Sequence, residues 1–261
     1  WELKKTKMAT YKKRGYKKSI APGNEKQVEV ESTTAEVFEK LDTTASRTEQ
    51  WVSKFQNFIL AGVAIIALSV LSYLGYQNYI FEPQKLEAVS ELSQAQYYFE
   101  LAVNGQDSDS LFRRALNGGE GKYGFLDIID NYGGTPAAKL ATYSAGMAYL
   151  NLGDYANAIE YLDQFDTDDI LLKALAKGAI GDAFAQIDQP EEAYDYYVAA
   201  FKSSDNSFSA PKYLFKAGIL GTSLGKKSAA LEYFKRIQSE YPDSAEARKV
   251  EVQIGLLENL N

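Results

Sequence analysis

A run of 27 residues, from position 55 to position 81, carries no acidic or basic side chain and divides this chain of 261 residues into two unequal parts. An α-helix rises about 1.5 Å per residue, so a helix of that length can cross a hydrocarbon core of about 30 Å. A buried core helix is rarely apolar for so long, and a cleaved signal peptide begins nearer the N-terminus and ends in small residues. The run therefore predicts a retained transmembrane helix over 55–81, with anchor residues Phe58, Ile65, Leu68 and Leu71.

The charges on the two sides of this run predict how the chain crosses the membrane. Before the run, 12 Lys and Arg residues stand against 8 Asp and Glu, whereas 16 stand against 27 after it. Flanks rich in Lys and Arg stay in the cytoplasm. We therefore expect a single-pass membrane protein with a cytoplasmic N-terminus and its large C-terminal domain outside the cytoplasm; in a bacterium this membrane is the inner membrane and the domain lies in the periplasm.

The chain contains no cysteine and no histidine. The first absence removes disulfides, thiolate nucleophiles and zinc-thiolate sites, and the second removes the commonest general base and transition-metal ligand. The acidic segment 166–169 lacks the glycine and the terminal glutamate of an EF-hand loop, so it predicts no metal site. This composition favours a protein that is not an enzyme and that holds no cofactor.

The part of the chain before the apolar run has two segments of different composition. Residues 1–31 are polar and basic, which predicts a disordered cytoplasmic tail. Residues 32–54 have apolar side chains at near-helical spacing, which predicts an amphipathic juxtamembrane helix with a break near 43–46. The basic cluster of the tail either sets the topology or contacts an anionic surface, namely lipid headgroups or the ribosome, and it consists of Lys12, Lys13, Arg14, Lys17 and Lys18.

Three stretches of the C-terminal part repeat one order of small and aromatic residues. Each has a small residue in a first helix, a turn, a second small residue and, three positions after it, a tyrosine followed by a bulky residue; in the first two stretches an aromatic residue also lies three positions after the first small residue. The small positions are Gly146, Gly181 and Gly218 in the first helix and Ala158, Ala193 and Ala230 in the second. Small residues let two helices approach closely while bulky neighbours fill the space beside the contact. The pattern resembles the tetratricopeptide repeat, which implies an all-α fold: one N-terminal transmembrane helix followed by a tetratricopeptide-repeat α-solenoid.

We place the repeat domain at 82–261 and expect about four repeats and a terminal helix. A degenerate first copy has one helix over 86–103, a flexible insertion over 104–122 and a second helix over 124–132. The segment 244–261 has apolar residues at helical spacing, so it predicts a terminal helix that covers the last hairpin, as solenoids require.

The first helices of such repeats line a concave groove. By register with the repeat, the inward positions are Leu140, Tyr143, Met147, Leu150, Asp182, Ala185, Phe215, Ile219 and Thr222. Most of them are apolar, and apart from Lys212 the basic residues of carboxylate-clamp repeats are missing. These side chains either pack between repeats or form a groove for an extended or helical hydrophobic segment.

The order of the segments resembles the YfgM-like family, the tetratricopeptide ancillary subunits of the bacterial Sec translocon. The closest local similarities are Tyr98 and Phe99 in the first helix, the insertion that follows, and Tyr123 and Gly124 before the next helix. The resemblance implies a non-catalytic accessory subunit of the Sec channel that binds a membrane-anchored periplasmic chaperone of the peptidyl-prolyl isomerase class, or emerging client polypeptides. The alternative is an assembly factor for another envelope complex, in outer-membrane biogenesis or secretion.

Overall fold

The computed structural model describes residues 33–105 and 107–259, and every named element in these ranges is helical. The chain divides after Leu68 into two units. The elements are α1 (Thr33–Tyr76), a π-helical turn (Gln77–Phe81), α2 (Glu82–Asn104), α3 (Ser108–Asn117), α4 (Phe125–Asn131), α5 (Pro136–Asn151), α6 (Tyr155–Gln164), α7 (Ile170–Gln186), α8 (Pro190–Ser203), α9 (Ala210–Ser223), α10 (Lys227–Glu240) and α11 (Ala247–Asn259).

Helix α1 contains most of the charge-free run. Within the described residues one helical stretch, Glu49–Asn104, includes a segment long and apolar enough to cross a membrane, and none of that segment is buried. The predicted break near 43–46 is wrong, because α1 is helical throughout. The threonine and serine residues there each lower helix stability by less than about 1 kcal/mol, and no glycine or proline interrupts the helix at this point.

The helix changes geometry just before Pro83. The backbone N–H of Glu82 donates to the carbonyl of Gln77, five residues earlier, which defines the π-helical turn. In an α-helix the ring of Pro83 would clash with the carbonyl four residues before it. The wider turn relieves that clash, and α2 continues with Pro83 at its start.

The predicted flexible insertion over 104–122 is wrong in its central part, which forms helix α3. Phe112, Ala115 and Leu116 of this helix are buried in a cluster with residues of α2, α4 and α5. Gly105 and Gly118 flank α3, and this loop-like composition obscures a short apolar face in the sequence. The first copy of the repeat therefore contains three helices, α2, α3 and a short α4.

Three helical hairpins follow, α5–α6, α7–α8 and α9–α10, as the repeat pattern predicts. In each hairpin a buried glycine of the first helix faces a large side chain of the second, and a methyl group added to the glycine would lie 2.5 to 2.8 Å from that side chain. The three facing pairs are Gly146 with Leu162, Gly181 with Tyr197, and Gly218 with Phe234. The predicted close approach of the paired helices is confirmed.

The apolar core consists of three clusters along the solenoid. The first joins α2 to α5, the second joins α8 to α11, and a smaller one holds residues of α6 and α7. The terminal helix α11 covers the last hairpin, as predicted, and buries Val250, Ile254 and Leu257. The first helices of the three regular hairpins, α5, α7 and α9, carry the positions of the predicted groove.

Candidate protein-binding groove

A cleft of about 450 Å³ is lined by three residues of α7 and by one residue each of α5, α6, α8 and α9. It brings together three of the predicted groove residues, Leu150, Asp182 and Ala185. The other lining residues are Tyr155, Gln186, Tyr197 and Lys216. The cleft is therefore mainly polar, with Leu150 and Ala185 as its aliphatic lining residues.

The polar centre of the cleft is a three-residue network. The hydroxyl of Tyr197 donates to Oδ1 of Asp182 at 2.7 Å, and the ammonium of Lys216 forms an ion pair with the same oxygen. The Lys216 ammonium also lies 5.3 Å from the centre of the Tyr197 ring. The side chains of Asp182 and Lys216 remain 32% and 31% exposed, so a ligand in the cleft can reach both.

Close packing behind this network fixes its geometry. The rings of Tyr197 and Tyr213 stack with centres 6.4 Å apart. Tyr213 is itself buried, and its ring lies directly against Gly178, where no side chain intervenes. Burial and the negative charge of Asp182 raise the pKa of both tyrosines well above the usual range, so both hydroxyls stay protonated at neutral pH.

The predicted groove residues of α5 are mostly packed between repeats. Tyr143 and Met147 are half-buried against the cluster of α6 and α7, and the Tyr143 ring lies 5.2 Å from that of Phe165. Leu140 packs on the first core cluster and lines a separate cleft of about 390 Å³ beside Phe165. These positions support the shape of the groove more than they present a free surface.

The predicted groove residues of α9 differ from one another in exposure. Phe215 packs against α10 and α11. Its ring centre lies 5.9 Å from the ring centre of Phe234 on α10, and the Lys249 ammonium of α11 lies 5.8 Å from the Phe215 ring centre. Ile219 is 41% exposed, and Thr222 is half-buried with its hydroxyl donating to the carbonyl of Gly218. Of the three, Ile219 offers the most apolar surface to a ligand.

The sequence interpretation did not include Lys216, Tyr197 or Gln186 among the groove residues. Lys216 lies one turn before Ile219 on α9, and its side chain reaches back to α7. The sequence offers one indication of this pair: α7 has a single acidic residue, Asp182, and Lys216 follows it one repeat length later. Whether the two side chains meet depends on how neighbouring repeats stack, and the sequence alone does not determine that stacking.

The other predicted sites lie away from this groove. The four anchor residues of α1 are all exposed, and the basic cluster Lys12, Lys13, Arg14, Lys17 and Lys18 lies outside the described residues. In the acidic segment 166–169, Asp169 caps α7 by accepting from the N–H groups of Leu171 and Leu172. Within residues 33–105 and 107–259, no group of three or more acidic side chains is arranged to hold a metal ion.

Comparison with known families identifies two tetratricopeptide repeats in the chain. One model described as a tetratricopeptide repeat matches residues 141–166, which cover most of α5 and α6. Another with the same description matches residues 213–244, which cover most of α9 and all of α10. A search of the curated proteins finds no match. The fold is therefore an all-α tetratricopeptide-repeat solenoid, and the part of the chain that the structure describes has one helix apolar enough to cross a membrane. The repeats indicate a scaffold for protein partners.

Proposed function

We propose that this chain is a non-catalytic accessory subunit of the Sec protein-conducting channel, anchored in the bacterial inner membrane with its solenoid in the periplasm. The anchor docks beside the channel, and the groove holds a periplasmic chaperone of the peptidyl-prolyl isomerase class or an emerging client polypeptide. The observation that carries the proposal is the combination of a protein-binding solenoid with an apolar helix in one chain.

The charges on the two sides of the apolar run support the orientation. Lys and Arg are in excess before residue 55, and Asp and Glu are in excess after residue 81, which under the positive-inside rule supports a solenoid outside the cytoplasm. The exposed apolar side chains of α1 are suited to lipid, because nothing in the described chain covers them. A solenoid held close to the outer leaflet meets polypeptides as they emerge from the channel.

The chemistry of the groove supports a binding role without catalysis. Its one acidic side chain, Asp182, is engaged by Tyr197 and Lys216, and the chain has no histidine or cysteine to act as a base or a nucleophile. Among the described residues that line the cleft, no two carboxylates are placed to act as an acid and a base. We therefore propose no enzymatic activity and no cofactor.

Purification of the full chain from membranes in a mild detergent tests the proposal. We expect Sec channel subunits to co-purify, and a periplasmic isomerase-like chaperone with them. A matched chain in which residues 55–81 are replaced by an unrelated transmembrane helix should lose the channel and keep the chaperone. Recovery of outer-membrane assembly or secretion components in place of the channel would overturn the proposal and favour the alternative envelope function.

The absence of cysteine allows a direct test of the orientation. A single cysteine is introduced at Ser32, before the apolar run, or at the exposed Ser228 of α10. In intact spheroplasts a membrane-impermeant maleimide should label the Ser228→Cys chain and spare the Ser32→Cys chain until the membrane is permeabilised. The opposite labelling would place the solenoid in the cytoplasm.

A further inference from the structure

We propose that the cleft between α5, α7 and α9 binds the backbone of an extended, uncharged polypeptide segment, and that Asp182 and Lys216 together hold one of its peptide groups. This inference rests on the proposed function as a protein-binding solenoid and specifies the kind of segment that the groove takes. It also separates two ligands that the sequence leaves open, an extended segment and a helical one.

The Asp182–Lys216 pair offers an acceptor and a donor side by side. Both bonds that Asp182 makes within the described chain end on Oδ1, which leaves the lone pairs of Oδ2 for a ligand N–H. Lys216 has three N–H donors and directs one of them to Asp182, so others are free for a ligand carbonyl. A peptide group presents one N–H and one C=O, which is the complement of this pair.

The charge of the cleft selects against charged segments. The single negative charge of Asp182 is balanced by the single positive charge of Lys216, and the remaining lining residues are neutral. A ligand carboxylate would compete with Asp182 for Lys216, and a ligand ammonium would compete with Lys216 for Asp182. Either would leave one partner of a half-buried ion pair uncompensated, which is unfavourable. An uncharged segment avoids this cost.

The same pair selects an extended backbone over a helical one. In a helix the N–H and C=O groups of the interior bond one another, so they cannot reach Asp182 and Lys216. In an extended chain these groups are unpaired and alternate side chains point the same way, about 6.5 Å apart. One such side chain can lie against Leu150 and Ala185, and Ile219, one turn after Lys216 on α9, offers a further exposed apolar side chain.

A selection of random twelve-residue peptides displayed on phage, with the full chain in lipid nanodiscs as the target, tests this inference. We expect the enriched peptides to be poor in Asp, Glu, Lys and Arg and rich in β-branched residues, which favour extended chains. Lys216→Met removes the donor, and Lys202→Met is its matched control, because Lys202 is an exposed lysine of α8 that does not line the cleft. The Lys202→Met chain should enrich the same peptides, and the Lys216→Met chain should lose them.

N-methylation of the best peptide, one amide at a time, tests the backbone contact without altering the protein. A hydrogen bond to a charged group is strong enough that its loss lowers affinity about tenfold or more. We expect one central amide to show that loss, while the others change affinity by less than about threefold. Circular dichroism melting of each variant separates loss of binding from loss of folding.

Three outcomes would overturn the inference: no enriched peptide, enrichment of charged or helix-patterned peptides, or a best peptide with no sensitive amide. If the channel co-purifies but the groove selects no extended peptide, the proposed function stands and only this inference is overturned. If the channel does not co-purify but extended peptides are still selected, the proposed Sec function is overturned and this inference about the groove stands.

Discussion

The hydroxyl of Tyr197 on α8 donates a 2.7 Å hydrogen bond to Oδ1 of Asp182 on α7, and this bond ties the two helices of the middle hairpin together. Lys216 from the next repeat pairs with the same oxygen. One carboxylate oxygen therefore joins three helices and two repeats at the surface of the groove. Stability and ligand contact depend on the same side chain.

The Tyr197–Asp182 bond should be measurable as a coupling free energy. Tyr197→Phe removes the hydroxyl and keeps the stacked ring, and Asp182→Ala removes the acceptor. Since a hydrogen bond to a charged group that is partly exposed contributes about 1–2 kcal/mol, each single variant should lower the free energy of unfolding by about that amount.

A double-mutant cycle read by urea denaturation isolates the bond. The double variant should lose about 1 kcal/mol less than the two single variants add up to, because both remove the same interaction. Strict additivity would show that the bond contributes nothing to folding.

Stability should fall at alkaline pH because several tyrosines titrate late in the folded state. Burial and the hydrogen bond to Asp205 raise the pKa of Tyr241 from its ordinary value of 10.0 to about 12. The unfolded chain loses these protons first as the pH rises, so it binds fewer protons than the folded chain and the free energy of unfolding decreases. The contribution is complete below pH 10 and, for Tyr241, is lost between pH 10 and about 12. Urea denaturation at a series of pH values measures it.

Tyr241→Phe is the control for this pH dependence. Its stability should decline less steeply than that of the parent chain over the same range, by at most about 1.4 kcal/mol per pH unit. The pKa values of Tyr197, Tyr213 and Tyr233 are also raised, chiefly by burial, so a residual decline should remain. Identical curves for the two chains would rule out a contribution from Tyr241.

A methyl group at Gly178 should disturb the packing behind the groove. An added Cβ would overlap the ring of Tyr213, which is buried and stacked on Tyr197, so the ring cannot move aside without disturbing its neighbours. Gly178→Ala should therefore lower the free energy of unfolding by about 1–3 kcal/mol, the usual range for overpacking.

Gly133→Ala is the matched control for Gly178→Ala. Its Cβ would meet only the Ile129 carbonyl oxygen at 3.6 Å, an ordinary contact, so this change should be neutral or slightly stabilising. Thermal unfolding followed by circular dichroism compares the two. Equal effects would mean that the contact between Gly178 and Tyr213 does not restrict packing.

The hairpins of the solenoid could be predicted from the sequence because their signal is local. Gly146 and Leu162 lie within one hairpin, and the requirement for a small residue opposite Leu162 follows from helix packing alone. Helix α3 was missed because glycines flank a short apolar face. The break predicted in α1 failed because serine and threonine weaken a helix too little to end it.

The candidate site could be predicted only in part. Asp182 was assigned to the groove from its repeat position, but its partner Lys216 lies in the next repeat, and their contact depends on the stacking of hairpins. Phe215 was assigned by the same rule and proved half-buried, because α11 brings Lys249 over its ring. Positions in the repeat thus indicate which face a residue occupies, whereas exposure depends on contacts between repeats.

The turn of the middle hairpin has a strained residue that the other two hairpins avoid. Asp188 has φ of 58°, in the left-handed region, where Gly153 and Gly225 occupy the corresponding turns with φ of 73° and 75°. The left-handed backbone conformation is unfavourable for residues other than glycine, although Asp tolerates it better than most. Asp188→Gly should therefore raise the free energy of unfolding by about 0.5–1 kcal/mol. The reciprocal change Gly153→Ala should lower it by about 1 kcal/mol, and both are measured by urea denaturation. A stabilising Gly153→Ala would contradict the account, because it would mean that the turn does not require the left-handed conformation.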